Sequence, residues 1–190
     1  MTIQRQDMTA TVILLNGVGS AGKSSLSRAF QAIAREPFLH VQMDAFFDML
    51  PSGLIGHPDG VQFIPLESDG PPEVAVRSGP VAAKLFDAIP VAVAALAAAG
   101  NNVIVDDVIL RDGMAEYRRA LAPFRFLTVG VHAPLEVLEA REAARGDRRL
   151  GLARWQYPRV HAGRSYDLEI YTGSLSPEAA AATIRDAFDL

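Results

Sequence analysis

The sequence predicts an α/β fold, a parallel sheet with helices packed on both faces, and three observations carry that expectation. Strand-length apolar runs alternate along the chain with longer runs at helical spacing. A glycine-rich turn, Gly17–Ser24, joins the first apolar run to the first helical pattern. Two later apolar runs end in carboxylates, one at Asp44 and one at Asp106-Asp107.

Taken in order, Thr11–Leu15 reads as a buried strand and Lys23–Arg35 as an amphipathic helix with Leu26, Ala29, Phe30 and Ile33 on one face. Phe38–Met43 is a second strand ending at Asp44, and Val103–Val105 is a third, entered from the helix end at Gly100. Phe126–Val131 is a fourth, followed by a helix with Pro134 in its first turn, and Leu168–Tyr171 is a fifth. Ser176-Pro177-Glu178 opens a last helix with a capping serine and a proline at the first helical position. A helix over Pro80–Ala99 is expected to bend at Pro90, where proline removes a hydrogen bond. Pro51–Pro72, rich in Gly, Pro and Asp, reads as a long loop with a short hairpin around Val61–Ile64. Gly146–Arg164, basic and aromatic, reads as a lid.

At 190 residues the chain has the length of one domain, expected over 1–190, with an acceptor loop at 45–72 and the lid at 146–164. A hydrophobic share of 49% against 21% charged excludes a disordered or fibrous chain. The net charge of -4 argues against a nucleic-acid surface, which would need a basic stripe. No cysteine is present, so disulfides and thiolate chemistry are excluded. The first ten residues lack the basic start and apolar core of a signal peptide, and Ala88–Ala99 is too short to span a bilayer. The expectation is a cytoplasmic, soluble protein with no membrane or nucleic-acid partner; a homo-oligomer stays open.

The strongest motif is Gly17-Val18-Gly19-Ser20-Ala21-Gly22-Lys23-Ser24, a full match to the phosphate-binding P-loop, with Ser25 next in the helix. Its glycines let backbone N–H groups turn inward around an anion, Lys23 brings a cation to the β- and γ-phosphates, and the Ser24 hydroxyl suits Mg²⁺. The strand before and the amphipathic helix after supply the context the motif requires. Asp106 and Asp107, at a strand end, are the candidates to hold the same Mg²⁺; the sequence does not choose between them.

Asp44 admits two readings. It is placed to take a proton from a substrate hydroxyl attacking the γ-phosphate of ATP, with Ala45-Phe46-Phe47 beside it for an organic acceptor. It is equally suited to cap the short helix that follows. Arg141, Arg145, Arg148 and Arg149 cluster at a helix end, where guanidinium groups bind phosphate or complement the dipole, and Glu139 and Glu142 are near enough to neutralise them. His40, His57, His132 and His161 show no metal-ligand spacing, and Trp155 and Tyr157 fit a core role as well as a contact with adenine.

These residues resemble the chloramphenicol phosphotransferase family: Asn16–Ser24, Met43-Asp44, Ile104–Val108, and Ala144–Arg148 continuing to Gly151, Gln156, Val160-His161, Tyr166-Asp167 and Thr172. The resemblance implies a three-layer P-loop kinase fold like that of shikimate and adenylate kinases, and transfer of the ATP γ-phosphate to a hydroxyl of an antibiotic-like acceptor. It also implies Asp44 as the base and Arg145 and Arg148 as lid arginines. Residues Phe46–Leu66, which would line the acceptor site, depart from the family pattern more than the P-loop and lid do. Two alternatives stand beside this reading: a kinase of a nucleotide, sugar nucleotide or other metabolite, and a nucleotide-dependent switch with no acceptor. No Asn-Lys-x-Asp guanine-reading motif is present.

Overall fold

The computed structural model describes residues 10–67, 69–110, 112–146 and 149–190. Five strands form one parallel sheet: β1 (Thr11–Asn16), β2 (Phe38–Gln42), β5 (Asn102–Asp107), β6 (Arg125–His132) and β7 (Leu168–Tyr171), in the order β2-β5-β1-β6-β7. A short antiparallel hairpin, β3 (Val61–Leu66) with β4 (Glu73–Ser78), stands apart as a second sheet.

Alternation along β1 builds the layers. Ile13 and Leu15 face α1 (Lys23–Ile33), α5 (Leu135–Arg145) and α7 (Pro177–Phe188), packing with Phe30, Leu138 and Ile184, while Val12 and Leu14 face the other way. On that second face α3 (Pro80–Ala98) supplies Ile89 and Val93, and α4 (Gly113–Ala120) supplies Met114 and Tyr117. Every β1 residue is buried because helices cover both faces of a parallel sheet. All five predicted core strands are present, and the three-layer architecture is the predicted one.

Several boundaries differ for physical reasons. The second strand ends at Gln42, so Asp44 lies in the first turn of α2 (Met43–Phe47) rather than closing a strand. The third strand runs on past Val105 through Asp106 and Asp107, both buried in it. The Pro51–Pro72 loop is shorter than expected: a 3₁₀ turn occupies Ser52–Leu54, and Val61–Leu66 pairs in register with residues beyond the loop. Helix α4 has no counterpart in the sequence reading. The lid segment is built around α6 (Leu152–Val160), with Leu152, Ala153, Gln156 and Val160 buried.

Helix α3 continues across Pro90 without a break, since Pro90 forfeits one bond and the remaining ladder holds. At 19 residues with a mean hydropathy of 1.8 it is long and apolar enough to cross a bilayer, contrary to the length expected from Ala88–Ala99. Its buried face, Ile89, Val93 and Ala97, packs on the sheet, as in the core helix of a globular domain.

Candidate active site

The P-loop leaves β1 at Asn16 and enters α1 at Lys23. Asn16 is fully buried and acts as a staple: Oδ1 accepts from Ile109 N at 2.8 Å, and Nδ2 donates to Tyr166 Oη at 2.7 Å and to the Val160 carbonyl at 3.2 Å. The loop's curl depends on left-handed backbone at Ser20 (φ 65°) and Gly22 (φ 88°), a conformation that turns N–H groups to one side. Gly22 is also the residue before α1, so the helix N-terminus opens at the same place.

The structure sorts the loop residues by use. Val18 and Ala21 anchor it, both buried in the core between sheet and α1. The N–H groups of Gly17, Gly19 and Ala21 are taken up by the Asp107 carbonyl, Gln156 Oε1 and the Val18 carbonyl. Of the run from Gly17 to Ser25, Gly19, Ser20 and Gly22–Ser25 line the cleft. Lys23 is buried, and its Nζ donates to the carbonyls of Gly17 at 2.8 Å and Val18 at 2.9 Å.

Consecutive positions on a strand point to opposite faces, and this separates the two aspartates of β5. Asp106 turns toward α1: the Ser24 hydroxyl and His40 hydrogen-bond to it, with His40 Nε2 at 2.8 Å from Oδ2. Burial pushes its carboxyl up, but the His40 bond, the Lys23 charge and the Ser24 bond outweigh that and hold it below the usual carboxylate value. Asp107 turns toward α4, where Tyr117 Oη donates to Oδ2 at 2.8 Å and Val108 N donates to Oδ1 at 2.6 Å. Burial wins there and raises its carboxyl above the usual value. Among the described residues no cluster of three or more His, Asp or Glu side chains is arranged to hold a metal. The donor set that fits Mg²⁺ is the sparse one typical of phosphate-bound magnesium: one hydroxyl and one ionised carboxylate, Ser24 and Asp106.

Asp44 is half-buried and lines the same cleft as Lys23, Ser24 and Asp106. The cap position of α2 falls on Gln42, so capping does not account for Asp44. Arg145 ends α5 and also lines the cleft. Arg148 lies outside the described residues. Arg141, one turn before Arg145, is held by the Thr172 carbonyl at 2.8 Å, and a Cβ added at Gly22 would lie 3.9 Å from its Nη1. Glu142 is buried and turned toward the start of α6. It caps α6, accepting from Gly151 N and Ala153 N at 2.8 Å each, while Glu139 pairs with Arg154 at 2.6 Å.

The cleft measures about 2500 Å³, well above the roughly 300–1,000 Å³ of a single-ligand site. Helix α2 and the hairpin also line it, where Phe47 and Phe63 meet edge to face at 6.3 Å and the Arg149 guanidinium lies 4.8 Å over the Phe63 ring. Trp155 is half-buried beneath Arg159, 4.9 Å from it, and Tyr157 is exposed. Behind the P-loop, His161 stacks on His132 at 3.9 Å and contacts Tyr166 Oη through Nδ1 at 2.9 Å. Burial, then the His132 and Lys23 charges, lower His161 to about 4.

Sequence reasoning passed over Tyr117, gave His40 no role, and met Asn16 and Gln156 only as residues of the family resemblance, because the part each plays here is set by a contact outside any local motif.

A parallel sheet with a P-loop at the exit of its central strand, a buried lysine and a hydroxyl–carboxylate pair defines a P-loop kinase-type phosphotransferase. The family model for chloramphenicol phosphotransferase-like proteins matches residues 10–189, and the chain belongs to that family. Proteins named "Putative O-phosphotransferase" in two strains of Mycobacterium tuberculosis are 33% identical to it over 183 residues, covering 93% of this chain and 81% of theirs. The Mycobacterium tuberculosis APS kinase solved with AMPPNP and APS superposes with a TM-score of 0.66 at 17% identity, over 97% of this chain and 100% of that one. A Sinorhizobium meliloti 1021 gluconokinase gives 0.62 at 20% identity, with 96% of each chain covered. These two likenesses show the fold.

Proposed function

We propose that the protein transfers the γ-phosphate of ATP to a hydroxyl group of a small molecule, with Asp44 as the base. The observation that carries this reading is the sharing of one cleft by Asp44, Lys23, Ser24 and Asp106, with an aromatic compartment in the same cleft. Lys23 and the N–H groups at the start of α1 bind and orient the phosphates. Ser24 and Asp106 would hold Mg²⁺, which supplies positive charge against phosphate oxygens. Asp44 accepts the hydroxyl proton as the acceptor oxygen bonds to the γ-phosphorus and ADP departs with the bridging oxygen. Arg145 offsets charge on the transferring group from the lid side. Catalysis is chiefly positioning and electrostatics.

The acceptor compartment suits a molecule with a flat or apolar body, which chloramphenicol satisfies. The Arg149 guanidinium over Phe63 favours a second reading, an acceptor that also carries an anionic group, as a phosphorylated or carboxylated metabolite does. Incubation with ATP and matched acceptors, with and without an anionic group, followed by mass spectrometry for one added phosphoryl group, separates the two. Asp44→Asn should bind ATP and lose about 10²–10⁴-fold of the transfer rate. Full activity in that variant removes the base.

A further inference from the structure

One peptide unit of the P-loop is held at both ends. The Val18 carbonyl accepts from Lys23 Nζ at 2.9 Å, and the N–H of the same peptide, on Gly19, donates to Gln156 Oε1 at 2.8 Å. The peptide plane is rigid and its C=O and N–H point in opposite directions, so whatever fixes the N–H also fixes the direction of the carbonyl. Rotation of this peptide would turn an N–H toward the ammonium and remove one of its two carbonyl partners. The donor here is a backbone N–H, so the carboxamide oxygen of Gln156, and not its nitrogen, must face it.

Gln156 is equipped for this task. It is buried, on α6, and α6 is anchored independently of the P-loop. Glu142 holds the Gly151 and Ala153 amides, and Val74 N on the hairpin donates to the Gly151 carbonyl at 3.0 Å. The fit is close: a Cβ at position 19 would approach Gln156 Oε1 to 3.2 Å, so glycine there leaves room for the amide contact. Donation from its N–H to Gln156 also polarises the peptide and strengthens its carbonyl as an acceptor.

We propose that Gln156 is a positioning residue for Lys23: through the Val18–Gly19 peptide it fixes the carbonyl that anchors the ammonium, so that the lid helix sets the place of the phosphate-binding cation. This rests on the reading of Lys23 as that cation.

The chain has two lysines, Lys23 and Lys84, and Lys84 is exposed on α3, so side-chain ¹⁵N-lysine NMR reads Lys23 with an internal reference. In Gln156→Met, which removes the acceptor, hydrogen exchange of the Lys23 ammonium should quicken about tenfold, the scale of one hydrogen bond, with Lys84 unchanged. In Gln156→Glu, which keeps an oxygen on the Gly19 N–H, exchange should stay near wild-type. Gln156→Met should also weaken AMPPNP more than ADP. An unchanged Lys23 in Gln156→Met overturns the proposal, as does a Gln156→Glu variant that behaves like Gln156→Met. A wild-type chain that binds neither nucleotide overturns the phosphotransferase reading and this proposal with it, and calorimetry detects that failure separately from the lysine signal.

Discussion

Single residues in this site are defined by what surrounds them more than by their type. Asp106 and Asp107 are adjacent and chemically identical, yet one is held ionised beside Ser24 and the other is pushed toward its neutral form beside Tyr117. His161 is the clearest case with a solution consequence. Its value in the fold, about 4, lies below the unfolded 6.5, so between these values the unfolded chain takes up a proton that the folded chain refuses. Stability at this site is therefore full above pH about 6.5 and falls as acid is added toward pH about 4. His132, also lowered, adds the same slope; Asp107, raised, contributes with the opposite sign; Asp106, lowered, acts only below the ordinary carboxylate value of 3.8. Melting temperature measured across that window should show a shallower acid slope for His161→Gln than for wild-type. Equal slopes would mean that His161 is not held neutral.

Among the elements, α6 is the one whose sequence says least about its role. The segment expected to form a lid stood out as basic and aromatic, but its docking was not legible. That docking depends on Glu142 reaching forward to the α6 N-terminus, on Gly151 pairing with the hairpin and on Gln156 touching the P-loop, contacts between residues separated by 9 to 137 positions. Glu142→Ala removes two charge-assisted bonds to buried amides and should cost on the order of 2–4 kcal/mol. Amide exchange should speed in α6 well before it does in β1 or β6, because the sheet core does not rely on this cap. Uniform acceleration across the molecule would show that α6 is not a separable unit. The P-loop, by contrast, was readable from sequence because its chemistry is local: glycine spacing, lysine and serine lie within eight consecutive residues. Asp44 was singled out as a candidate from its place next to a strand end, although helix α2 and not the strand carries it. Helix α4 escaped notice because its apolar positions are few and its start lacks a side-chain cap.

At the scale of the whole molecule, the net charge of -4 argued against a basic stripe. Cations from several elements, Lys23, Arg77, Arg141, Arg145, Arg149 and Arg159, nevertheless meet in one cleft, interleaved with carboxylates such as Asp44 and Asp106. No single stretch of sequence shows that convergence, since the sheet order brings the segments together. The central claim is that this cleft holds a nucleoside triphosphate through Lys23 while Asp44 stands ready for the acceptor. Calorimetric titration with AMPPNP and Mg²⁺ tests it directly on wild-type, Lys23→Ala and Asp44→Asn. The account predicts binding by wild-type and Asp44→Asn with similar affinity, and a loss of about a hundredfold in Lys23→Ala, the worth of two charge-assisted hydrogen bonds. Absence of binding in wild-type, or undiminished binding in Lys23→Ala, would contradict it.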